Sequence, residues 1–166
     1  MGITKRFRTV AVILTLALGL LGSLVPGNAQ QAAHNSELLH PSPDYSADQV
    51  IRLQLEALAD NDSPHKDAGI EVAFRFASPA NKMVTGPLDR FIRMVHNPMY
   101  RPMLHHKAAH YGELQLQGNQ AVRSVILTAA NGQRVGYVFI LSSQKGAPCD
   151  ECWMTDSVLR FEVEDS

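Results

Sequence analysis

Hydrophobic positions along this chain recur with two different periods, and the change falls near residue 105. Before that point they return every three or four residues. Ala47, Val50, Ile51, Leu55 and Leu58 form one such stripe, which predicts an amphipathic helix. Ser46, with Gln49 three residues on, reads as the capping box that opens it. Asp60-Asn61-Asp62-Ser63-Pro64 closes it as a turn, without the glycine and terminal glutamate of a calcium loop. A second helix is predicted from about Asp67 to Ala77, with Ile70, Ala73, Phe74 and Ala77 inward. Ser78-Pro79 stops it, because a proline ring cannot continue a helix, and a polar turn through Asn81 follows. Pro87 suits the first position of a third helix, where its missing N–H is not needed. Leu88, Phe91, Ile92 and Val95 then repeat at helical spacing until Asn97-Pro98.

Beyond residue 105 the period falls to two. Leu114 and Leu116 alternate with polar residues from Ala109 to Gln117, and Gly118-Asn119 makes a tight turn. A β-rich run from Gln120 to Ala129 leads to Asn131-Gly132, a strong hairpin signal suited to a type I′ turn. Val135, Tyr137, Phe139 and Leu141 alternate with Val138 and Ile140 in the next strand. A final strand from Cys152 to Val163 carries Trp153, Leu159, Phe161 and Val163. Helices followed by a meander predict an α+β domain: three N-terminal helices packed on a curved antiparallel sheet of about four strands. A curved sheet wrapped on a long helix makes a cone whose interior can become a pocket.

The N-terminus changes the picture of where this domain works. Lys5, Arg6 and Arg8 precede an apolar run from Val10 to Leu21, and Gly27-Asn28-Ala29 supplies small residues for cleavage. Residues 1–29 therefore read as a signal peptide, 30–44 as a flexible lead-in and 45–164 as a single domain. Cleavage removes three of 15 basic residues and none of 16 acidic ones, which leaves a mature charge of −4. That balance, without basic runs, argues against nucleic acid and against an anionic membrane surface as partner. No stable membrane anchor is expected after cleavage. The expected address is the periplasm or the extracellular space, or a thylakoid lumen in a photosynthetic host.

Candidate chemistry is sparse. His105, His106 and His110 are the densest reactive cluster, with His96 nearby in sequence. In an extended chain His106 and His110 stand about 13 Å apart, and no HExxH pattern accompanies them. They read as rim histidines and only weak metal candidates, and no cofactor is implied. Cys149-Asp150-Glu151-Cys152 lies in a loop entering a strand, where flanking carboxylates raise thiol pKa values. A local disulfide between Cys149 and Cys152 is the favoured reading; free thiols or half of a metal site are the alternatives. Tyr100, Arg101, Tyr111, Tyr137 and Trp153 are candidates for lining the cone mouth. Asp156, on the last strand, is the carboxylate best placed to act inside it as a base, with outward exposure as the competing reading.

Several short motifs carry a family resemblance. Val50–Leu58 (VIRLQLEAL), Phe76–Asn81 (FASPAN), Gly86–Val95 (GPLDRFIRMV), Tyr100–Pro102 (YRP) and the Trp153, Asp156, Val158 ending occur in this order. Over about residues 46–162 the chain resembles the exported family known as domain of unknown function 4864. It departs from the common pattern at Thr155 and Ser157, where an aliphatic residue and a glycine are frequent. The resemblance implies the cystatin-like, nuclear-transport-factor-2-like superfold and export, and no chemistry. Fold alone does not license function, since such cones host isomerases, hydrolases, binders and assembly modules. The expectation is a non-enzymatic module for an unknown small ligand or protein partner. The alternative is an isomerase-, dehydratase- or hydrolase-like enzyme using a cone carboxylate. A homodimer through the sheet, on the faces carrying Val138 and Ile140, is a further expectation.

Overall fold

The computed structural model describes residues 39–163. The predicted signal peptide and most of the lead-in lie outside the described residues. The fold begins with α1 (Ala47–Ala59), opened by the predicted capping box. The Ser46 side chain accepts from Gln49 N–H at 3.2 Å, and Gln49 Oε1 accepts from Ser46 N–H at 2.8 Å. Its buried face is Ala47, Val50, Ile51, Gln54, Leu55 and Leu58. The apolar stripe was legible in sequence; Gln54, the one polar residue on the buried face, was not singled out there.

The turn after α1 folds around Asn61, whose side chain is buried. Its Oδ1 accepts from Ile70 N–H at 3.1 Å, while its amide donates to Asp62 and Asp67. Helix α2 (Ala68–Arg75) then packs closely on α1. A side chain on Gly69 would place its first carbon 2.0 Å from the Ala57 carbonyl oxygen, so glycine is what permits this crossing.

Here the structure corrects the prediction of three helices. Four helices are present among the described residues, because Ser78-Pro79 ends one and starts another. Ser78 leaves α2 as extended chain and donates to the Thr155 carbonyl at 2.9 Å. Thr155 N–H in turn donates to the Phe76 carbonyl at 2.8 Å. The Ser78 hydroxyl also accepts from Asn81 N–H, which caps α3 (Pro79–Thr85) with a proline in its first turn. The expected polar turn is thus a seven-residue helix with no buried residue of its own. Helix α4 (Leu88–Val95) follows, burying Phe91 and Val95, and Phe91 meets Phe74 of α2 at 5.1 Å between ring centres. A 3-10 turn at Arg101–Met103 leads into the sheet.

The sheet is the expected antiparallel meander: β1 (Ala108–Gln117), β2 (Gln120–Thr128), β3 (Arg134–Ser143) and β4 (Trp153–Phe161), in that order across it. Val125, Leu127, Val135, Tyr137, Phe139 and Leu141 face the helices and form the core with Ile51, Leu55, Ile70 and Phe76. The Asn131-Gly132 hairpin is not type I′. Only Gly132 has a positive φ, +88°, and its N–H donates to the Ala129 carbonyl. That pattern fits a three-residue loop in which an ordinary turn is followed by a left-handed glycine.

One irregularity decides the geometry of the last strand. Ile140 pairs with Ser157 but Leu141 pairs with Thr155, so Asp156 is an extra residue in a β-bulge. The alternation changes phase there. Thr155 shares the inner face with Leu141, and Val158 shares it with Phe139, whereas Leu159 and Phe161 pair with Val138 and Gly136 on the outer face. Trp153, Leu159 and Phe161, one apolar row in the sequence, therefore belong to two faces. Phe161 lies against Gly136, where an added side-chain carbon would come within 2.3 Å of its ring.

Candidate functional site

The helices do not fill the space over β4. A cavity of about 470 Å³ remains between that strand, the C-terminal part of α1 and helices α2, α3 and α4. Its deep end is formed by Gln54 and Leu58 of α1, Ala73 and Ala77, Met103 after the 3-10 turn, Phe139 of β3 and Thr155 of β4. Small residues on α2 and just beyond its end (Ala73 and Ala77) leave the volume open where larger side chains would close it. Phe91, Met94 and Val95 of α4 form one wall. Val84 of α3 and Leu159 of β4 line the cavity while 70% and 54% exposed, so they mark its rim.

Polar groups in the cavity are few, and most are already bonded. Gln54 Nε2 donates to the Val50 carbonyl at 3.1 Å and to Thr155 Oγ1 at 2.8 Å, and the Thr155 hydroxyl lies 3.2 Å from Gln54 Oε1. Both residues are buried, so this pair satisfies polar groups that would otherwise be costly to leave dry. Asn81 donates to the Thr155 carbonyl and accepts from the Thr85 hydroxyl, which holds α3 to the edge of β4. The Tyr100 hydroxyl donates to the Val158 carbonyl at 3.2 Å and lines the same space. Asp156, the extra residue of the bulge, is the single charged residue on the lining. No hydrogen bond or ion pair engages its carboxylate among the described residues. Behind α3, Lys82 donates to the Arg75 carbonyl at 3.0 Å and stands over the Phe74 ring; burial lowers its pKa.

Of the six residues proposed for a cone mouth, two meet at this cavity: Tyr100 and Asp156. Tyr137 is fully buried in the core, its hydroxyl donating to the Met99 carbonyl at 2.8 Å. Burial pushes its pKa up to about 12, with the Arg160 charge opposing that shift. Trp153 is half-buried against the core opposite Ser143. Arg101 is exposed and lines a separate groove with His96, Leu104, His105 and Asn131. Tyr111 sits at the other edge of the sheet, where Arg52 stacks on its ring at 4.0 Å and Arg123 at 5.0 Å. Desolvation raises the Tyr111 pKa and the Arg52 charge opposes it. Arg123 also pairs with Asp48 and donates to the Gly112 carbonyl at 2.8 Å.

The histidines go to separate partners. His105 faces Asp62 at 3.3 Å, His106 Nδ1 lies 2.8 Å from the Met103 carbonyl, and His110 is exposed on β1. A backbone hydrogen bond from Asp67 lowers the Asp62 pKa, and His105 adds to this. Among the described residues no group of three potential ligands is placed to hold a metal ion. Cys149 and Cys152 lie at disulfide distance, Cα to Cα 5.6 Å, in the loop between β3 and β4.

Sequence reasoning missed Gln54, Asn81, Thr85 and Thr155 as parts of the site. For Gln54 a signal existed, since it is the polar residue inside the apolar stripe of α1. For Asn81 and Thr155 the contacts join residues 74 and 101 positions apart, and Thr85 enters the site only through its bond to Asn81.

Comparison with known proteins returns one match. A family model described as Domain of unknown function (DUF4864) covers residues 42–165. No curated protein and no solved structure matches the chain. The matched segment includes every residue of the cavity lining as well as the whole sheet, and the chain belongs to the DUF4864 family.

Proposed function

We propose that this protein is a small exported binding module that holds an apolar small molecule in the cavity over β4. The observation that carries the reading is the cavity itself. Its volume of about 470 Å³ falls in the usual range of ligand sites, and its lining is mostly apolar with a few polar groups. The order of helices then meander, with a hollow between them, supports the cystatin-like, nuclear-transport-factor-2-like cone. The basic and apolar N-terminus supports export. Native mass spectrometry of the protein purified from an exporting host is the test. A retained organic molecule, lost on substitution Ala73→Leu at the deep end, supports the reading. A bare protein that also fails to take up a neutral naphthalene-type fluorescent probe opposes it.

A second reading has its own observation: Asp156 and Tyr100 line one cavity. A carboxylate base opposite a phenol is the arrangement of a proton-shuttling isomerase. Deuterium uptake from heavy water into a retained ligand, abolished by Asp156→Asn, would favour that enzyme. The outer sheet face, with Val122, Val138, Ile140 and Leu159, also supports pairing of two copies through the sheet. Sedimentation showing only monomer at high concentration would remove the dimer.

A further inference from the structure

We infer that the cavity selects apolar molecules carrying a basic amine, with Asp156 as the counter-charge, and discriminates against fatty acids. This rests on the cavity-binding reading above and adds the charge of the ligand to it.

Four observations carry it. Asp156 is the only charged residue on the lining, and no lysine or arginine joins it there. Its carboxylate has no hydrogen-bond or ion-pair partner among the described residues, although arginines at the opposite edge of the sheet are stacked and paired. The bulge between Ile140 and Leu141 places it beside the cavity, and such bulges re-aim side chains. The other polar side chains at the deep end, Gln54 and Thr155, are spent on each other.

The consequences for a ligand follow from desolvation. An ion entering an apolar space loses water and needs a fixed opposite charge to replace it. An alkylammonium group finds that charge at Asp156, and its three N–H donors find acceptors in the carboxylate oxygens. A fatty-acid carboxylate meets a like charge and no cation on the lining. A neutral alcohol of the same length gains burial only. Apolar rim residues Val84 and Leu159 contact the chain whatever its head group, so the difference between heads isolates the electrostatic part.

The test uses three ligands of equal chain length, decylammonium, decan-1-ol and decanoate, each below its micelle concentration. They are titrated calorimetrically into the exported protein and into Asp156→Asn and Asp156→Glu. The expected order is amine, then alcohol, then carboxylate, with the amine at least about tenfold tighter than the alcohol. Asp156→Asn brings amine and alcohol within about threefold of each other, whereas Asp156→Glu keeps the preference. Added salt weakens the amine and leaves the alcohol unchanged. Equal binding of all three heads, or a preference for decanoate, overturns this inference and leaves the cavity reading standing. Binding of none of the three, the alcohol included, overturns both.

Discussion

The two edges of the sheet face the same helical layer and are finished in opposite ways. At the β1 edge, Tyr111 is held between Arg52 and Arg123, and both arginines reach Asp48 at the start of α1. Both arginines and Asp48 are paired there, and Tyr111 is covered by the two guanidinium groups. At the β4 edge the helices leave a hollow, and the one charge on its wall, Asp156, is left unpaired. Charge that is satisfied within the fold serves stability, and it has little left to offer a ligand. A carboxylate with no partner among the described residues, half-buried beside a cavity, is available to pair with a group from outside. The comparison is what separates a structural polar cluster from a candidate site in a molecule with several of each.

If that contrast is right, substitutions at the two edges have unlike effects. Arg123→Met should cost the most, about 2–4 kcal/mol in chemical denaturation, because it strips the Gly112 carbonyl and one partner of Asp48 at a nearly buried position. Next comes a pH effect from Tyr137, which lies between the two edges. Its proton is held to about pH 12 in the fold against an ordinary value of 10.0. The stability it contributes is complete below pH 10 and is lost as pH rises through 12, a decline of roughly 2–3 kcal/mol. Tyr137→Phe should flatten that alkaline slope.

At the hollow edge, Thr155→Val should cost about 1–3 kcal/mol by leaving a Gln54 amide proton without an acceptor. Ala73→Leu, which would overpack an ordinary core, should cost less than about 1 kcal/mol because the cavity absorbs it, while abolishing probe uptake. Smallest of all, Asp156→Asn should change stability by no more than about 0.5 kcal/mol. Equal losses for Arg123→Met and Asp156→Asn would erase the distinction between the edges.

Much of the architecture could be read from the pattern of residues alone. The stripe from Ala47 to Leu58, the capping box at Ser46 and the alternation through Val135 to Leu141 are local signals, and each became the element it predicted. What escaped were features in which one residue serves two neighbours. Ser78 both ends α2 and caps α3, and only its bond to Thr155, distant in sequence, reveals the break as a joint between helices. Asp156 was singled out, but by an alternation that assumed an unbroken strand; the bulge changes that phase, and pairing register has no local code. Arg123 lies on the inner face beside Val125, a position where polarity argues for the outside. Its partners Asp48 and Tyr111 come from other elements. Tyr111 and Tyr137 drew notice as polar aromatics, yet their hydroxyls and rings are committed to the fold.

The most direct test is methyl and amide NMR of the exported protein titrated with decylammonium. The account predicts shifts confined to the hollow edge, at Val84, Val95, Met103, Thr155 and Val158, with the β1 edge around Tyr111 and the outer-face residues Val122 and Val138 unmoved. Shifts centred on the outer face, or an unchanged spectrum at saturating ligand, would contradict it.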